Sequence, residues 1–198
     1  MFRTLIATAL TAIAGVVPVS AQSTVEMGPD GLHIQDWFFE STGDIRLDLL
    51  AAAAVQKDMV VLFEQEGCVY CIKLHEDNFS RPEIVKIITD NFIVVQLDMR
   101  GSDMITGFDG VRMSEAQLAR QWSVGTTPTT VVLLSENPGV TSEKAAEVFR
   151  LPGYLKAFEY YAVLDYFASG AFETQGLGAF MKVTAAEFQE RGIDPKAW

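Results

Sequence analysis

Two short runs, Met59–Phe63 and Phe92–Leu97, consist almost wholly of apolar and β-branched residues. A strand with one wet face alternates apolar and polar residues. A strand that does not alternate must be covered on both faces. Thr129–Leu134 is a third such run, introduced by Pro128, and Ala145–Arg150 a shorter fourth. Helical spacing fills the intervals at Asp44–Lys57, from Cys68 to a break at Asn78–Arg81, at Pro82–Asp90, at Ser114–Gln121 with Ser114 as N-cap, and at Tyr154–Ala168. Strands alternating with helices predict an α/β chain, a central mixed sheet flanked by helices. With 49% apolar residues the chain can fill such a core.

The remaining segments are read as connections. Residues 22–36 are polar, with Gly28, Pro29 and Gly31, and are read as a loose leader. Residues 99–113 are rich in Gly and Asp and are read as a loop insertion. Gly170–Gly178 is read as a linker, and Ala185–Arg191 as a terminal helix. The helix after Gly153 carries Leu155, Phe158, Tyr160, Tyr161, Val163, Leu164, Tyr166 and Phe167 around nearly its whole circumference. Such a helix is buried on more than one side. We therefore expect residues 177–198 to fold back over its outer face.

Arg3, the apolar stretch Leu5–Val17 and the small residues Val19-Ser20-Ala21 have the order and size of a secretory signal, cleaved near Ala21–Gln22. The expected layout is a signal at 1–21, a leader at 22–43, a folded domain at 44–168 and a helical extension at 169–198. Export would place the mature protein in the periplasm. The formal net charge of −11, one unit more negative without Arg3, argues against nucleic-acid binding, which needs a basic face.

The chain has two cysteines, Cys68 and Cys71. A disulfide between them closes almost no loop and stabilises little. An isolated Cys-x-x-Cys in an exported chain points instead to redox chemistry or to metal. Cys68 stands where a strand gives way to a helix. Unpaired N–H groups there favour an anion and lower a thiol pKa. Cys68 is thus the candidate nucleophile, and Cys71, one turn on, the candidate resolving thiol; the exchange needs no cofactor. The alternative is a copper- or zinc-handling chaperone with His75, four residues after Cys71, as a further ligand. A structural zinc site needs four ligands, and the only other histidine is His33, in the leader.

Thr127-Pro128 immediately precedes a buried run. An X-Pro bond there can be cis, turning the Thr127 backbone toward an extended substrate. The strand, the Cys68-x-x-Cys71 that opens a helix, the late Thr-Pro before a strand, and Gly153 together resemble the thioredoxin superfamily, over roughly residues 44–168. The resemblance implies a groove formed by Val69, Tyr70, Thr127, Pro128 and Gly153. Within the superfamily, Phe63–Cys71, Leu74–Phe79, Phe108-Asp109-Gly110 and Leu151-Pro152-Gly153-Tyr154 are similar to SoxW-type periplasmic thioredoxins. That likeness implies a reductase of protein or small-molecule disulfides, a link to sulfur-compound oxidation, and a CcdA-like membrane thiol transporter as electron donor. The chain departs from ordinary thioredoxin in three ways: Gly67 replaces a tryptophan, Val69-Tyr70 replaces Gly-Pro, and Leu62 stands where the family buries an acid beneath the dithiol. Glu64 and Glu66 are near enough to substitute for that acid, and Lys73 is a further candidate for tuning the thiol.

Overall fold

The computed structural model describes residues 25–198. The signal segment and its cleavage point lie outside the described residues. The chain enters through strand β1 (Glu26–Met27), paired antiparallel with β2 (His33–Ile34). Helix α1 (Ile45–Ala54) follows, its first turn capped by the Asp44 carboxylate. Then come β3 (Asp58–Glu64), α2 (Val69–Lys73), a π-helical turn (Leu74–Asn78), α3 (Pro82–Asn91) and β4 (Phe92–Asp98). A hairpin of β5 (Met104–Thr106) and β6 (Arg112–Ser114) leads into α4 (Glu115–Gln121), where Ser114 and Gln117 form a capping box. The chain ends through β7 (Thr129–Leu133), a short α5 (Glu143–Ala146), β8 (Glu147–Pro152), α6 (Ala157–Ala168), a 3₁₀ turn (Ala171–Glu173) and α7 (Leu177–Glu190).

The main sheet has the order β4-β3-β7-β8, with β3 parallel to β4 and the other two pairings antiparallel. Strand β3 is central and buried along nearly its whole length. Alternate side chains enter two cores. Met59, Val61 and Phe63 pack with Ile45, Leu49, Leu118 and Trp122 from α1 and α4. Val60 and Leu62 pack with Ile84, Ile88, Val163 and Leu164 from α3 and α6. Each such aliphatic side chain withdrawn from water stabilises the fold by roughly 1.5–3 kcal/mol. The expectation of a mixed sheet covered on both faces is met.

Four expectations need correction. The leader is not loose. It forms the β1–β2 ribbon and buries Leu32 and His33, because the Gln96 amide donates to the His33 carbonyl at 2.6 Å. The 99–113 insertion contains the β5–β6 hairpin, which is tied to α1 through an Asp44–Thr106 bridge. The fourth strand starts later than its apolar run, since Glu143–Ala146 turn helically first. The terminal helix begins at Leu177 rather than Ala185, so Gly178 lies inside it.

The tail does cover α6. Phe188 packs edge-on against Phe158 at 5.3 Å between ring centroids, and Trp198 against Tyr161 at 5.5 Å. Arg81 lies over the Trp198 ring at 4.7 Å. Among the described residues no helix is long and apolar enough to cross a membrane.

Ending the chain at Gly170 uncovers Phe158 and Ala162. We expect urea unfolding to show a loss of about 3 kcal/mol or more, with aggregation. Val183→Lys, on the exposed side of α7, should stay within about 0.5 kcal/mol of the parent. An unchanged midpoint in the truncated chain contradicts the covering role.

Candidate active site

The site lies at the end of the sheet where β3 and β4 stop and β7 starts. Gln65, Glu66 and Gly67 carry the chain from β3 to the helix. Gly67 has a φ of 70°, a conformation that side chains with a Cβ resist, which accounts for a glycine where a tryptophan is otherwise met. Cys68 then caps α2, and its Sγ accepts a hydrogen bond from the Cys71 N–H at 3.1 Å. Cys68 and Cys71 are joined as a disulfide, with Cα atoms 5.2 Å apart. Cys68 is the more accessible, 7% exposed against 1% for Cys71. Val69 and Tyr70 between them project into solvent.

Thr127 and Pro128 approach from the start of β7 across a cis peptide bond. The Thr127 hydroxyl donates to Cys68 Sγ at 3.2 Å. Gly153, just past β8 with a φ of 89°, donates its N–H to the Pro128 carbonyl at 2.7 Å. The fold therefore brings Cys68, Cys71, Val69, Tyr70, Thr127, Pro128 and Gly153 together. A shallow pocket of about 310 Å³ opens beside Cys68, with Tyr70, Thr127, Met99 and Arg100 in its lining.

Some of its walls were not foreseen. Met99 and Arg100 belong to a segment read only as a loop; they reach the site because β4 runs parallel to β3 and ends beside it. Tyr154 stacks on Tyr70 at 6.1 Å, and its hydroxyl donates to Asp77 at 3.1 Å. Burial and the Asp77 carboxylate push the Tyr154 phenol up to about 12, so it stays a neutral donor. A Gly-Tyr step after the last strand is the one sequence signal that could have placed Tyr154 here. Behind Arg100 lies Glu115, whose carboxyl burial raises to about 7 against the opposing pull of an Asp98 hydrogen bond.

Leu62 is fully buried among apolar neighbours, and the acid at this end of β3 is Glu64, 1% exposed. Glu64 Oε2 accepts from His75 Nε2 at 3.1 Å and from the Gln96 amide. Glu66 and Lys73 are exposed, the Lys73 ammonium 5.9 Å from the Tyr70 ring centroid. His75 is not a third ligand beside the sulfurs. Its Nδ1 accepts from Gln35 at 3.0 Å and its Nε2 faces Glu64, so both ring nitrogens are engaged elsewhere. No cluster of His, Cys, Asp and Glu among the described residues is disposed to hold a metal ion.

A disulfide at the start of a helix, with one sulfur accessible and hydrogen-bonded, is a pair built for thiol–disulfide exchange. The structure is similar to that of a thioredoxin-fold protein from Helicobacter pylori, with a TM-score of 0.54 and 23% identity over 65% of this chain and 84% of that one. It is also similar to a thioredoxin from Thermus thermophilus, with a TM-score of 0.49 and 24% identity over 61% of this chain and 82% of that one. No curated protein sequence matches the chain. The family model for the thioredoxin-like domain matches residues 45–168, more than half of the chain. The chain belongs to the thioredoxin-like domain family.

Proposed function

We propose that this protein is an exported, periplasmic thiol–disulfide reductase of the SoxW type, acting on protein or small-molecule disulfides. The observation that carries the reading is the Cys68–Cys71 disulfide at a helix start, with Cys68 facing the Thr127 hydroxyl. Cys68, the more exposed sulfur, attacks the substrate disulfide, and Cys71, buried one turn later, resolves the mixed disulfide. The exposed Val69 and Tyr70, with Thr127, Pro128 and Gly153, form the groove that receives the substrate. Glu64 tunes the pair from beneath.

The oxidised pair would be re-reduced by a CcdA-like membrane thiol transporter, since a dithiol in an oxidising compartment needs a dedicated donor. The sequence pattern of residues 1–21 supports export. The likeness to SoxW-type proteins supports a link to sulfur-compound oxidation.

The parent protein should catalyse insulin reduction by dithiothreitol. Cys68→Ser should abolish it, and Cys71→Ser should accumulate a mixed disulfide on Cys68. Activity surviving in Cys68→Ser contradicts the reading. Thr127→Val removes a hydrogen bond that, once Cys68 is a thiolate, is worth about 1.5–3 kcal/mol. The Cys68 thiol pKa, read from alkylation rate against pH, should then rise by about one unit or more. An unchanged alkylation profile shows that the contact does not stabilise the thiolate.

A further inference from the structure

The turn that leaves β4 is pinned from both sides. The Met99 N–H donates to the Glu64 carbonyl at 2.8 Å, and the Ala116 N–H donates to the Gly101 carbonyl at 3.1 Å. The Arg100 N–H donates to Asp98 Oδ1 at 2.8 Å and closes the turn. Gly101 has no room for a side chain, since a Cβ there would press on Asp98 and on the Glu115 carboxylate. The backbone therefore holds Arg100 at one place in the wall of the pocket beside Cys68, while its side chain is exposed.

Arg100 is the one charged residue in that wall. Its guanidinium makes no ion pair and no hydrogen bond among the described residues. The neighbouring acids are placed elsewhere. Glu66 lies beside Gly31 of the leader, and Asp30, Asp98, Asp103 and Glu115 line a second pocket that Arg100 also borders. Burial lifts the Glu115 carboxyl to about 7, so this second pocket lacks part of its negative charge at neutral pH. On the other side of the dithiol the Lys73 ammonium lies 5.9 Å from the Tyr70 ring centroid. The mouth of the site is thus locally cationic on a chain whose formal net charge is −11.

A guanidinium presents a planar fork of donors that matches a carboxylate, and it stays charged at any working pH. We propose that Arg100 is a specificity-determining residue that selects disulfides carrying a carboxylate beside the sulfur that Cys68 attacks. Arg100 takes no part in the bond exchange. It holds the substrate's anion in the pocket and offsets, at this one place, the repulsion that the acidic chain exerts on anionic substrates. The carboxylate can belong to an acidic residue next to a half-cystine in a peptide or to a small disulfide such as oxidised glutathione. An exposed pair of this kind changes a rate by about threefold to fivefold at low salt.

The inference rests on the thiol–disulfide exchange proposed above, and the test separates the two. The reduced full chain is mixed with matched peptide disulfides that carry Glu, Gln or Lys beside the half-cystine, and with oxidised glutathione. Acid quenching and mass spectrometry give the rate at which each substrate oxidises the chain. Dividing the rate of Arg100→Gln by that of the parent removes the intrinsic reactivity of each substrate. This ratio should fall about threefold to fivefold for the Glu peptide relative to the Gln peptide, and should rise for the Lys peptide. Arg100→Lys should keep the preference for Glu in part, and raising salt from about 0.05 to 0.5 M should erase it. A loss confined to the peptides, or to glutathione, supports the proposal and identifies the source of the carboxylate. Equal slowing of all substrates, or none, overturns it and leaves the exchange reaction standing. Alkylation of Cys68 by iodoacetate and by iodoacetamide supplies a readout that needs no exchange. The anionic reagent should lose about threefold against the neutral one in Arg100→Gln, and an unchanged ratio also overturns the proposal. If no disulfide of any charge oxidises the parent chain, the functional reading itself fails.

Discussion

Everything at the site hangs on the burial of β3 along nearly its whole length. It is paired on both edges, with β4 in parallel and β7 antiparallel, and its side chains enter both cores by turns. A one-residue slip would exchange Leu62 with Phe63 between cores of different shape, so the register is strongly held. That register fixes where the strand stops. Glu64, its last residue, is still buried, and only the short step through Gly67 separates it from Cys68. The same register brings Met99 and Thr127 to the two sides of the dithiol, because neighbouring strands end or begin at that level.

From this placement the chemistry follows. A sulfur at the first turn of a helix meets unpaired N–H groups, here that of Cys71 at 3.1 Å. The Thr127 hydroxyl adds a donor from the opposite strand. The second sulfur falls one turn deeper, where water does not reach it. One sulfur is thus the more accessible and the other faces the protein, an asymmetry due to backbone geometry rather than to the residues between the cysteines. Those residues, Val69 and Tyr70, are exposed, with Tyr70 stacked on Tyr154.

How much of this was legible in the sequence depended on range. Strands β3, β4 and β7 were readable because a doubly buried strand must be apolar throughout. The start of α4 was readable because Ser114 caps it. The placement of Cys68 at a helix start and of Thr127-Pro128 before a strand was readable because composition marks both boundaries. Features set by distant contacts were not. Gly28, Pro29 and Gly31 made the leader look loose, yet its Leu32 is buried and its Gln35 reaches His75, forty residues on. Gly176 and Gly178 hid the start of α7, whose helical state depends on docking Phe188 against α6 rather than on propensity. The β5–β6 strands are three residues each, too short for a periodicity. His75 was noticed as a possible ligand, but its partners Glu64 and Gln35 come together only in the folded chain.

In the proposed function the Cys68–Cys71 pair works as a reductant. Equilibrating the full chain with glutathione or dithiothreitol buffers and counting free thiols measures its reduction potential directly. For a reductant the expected value is close to that of thioredoxin, about −270 mV. A value near about −120 mV, where the reduced form is strongly favoured, would make the protein an oxidant and contradict it.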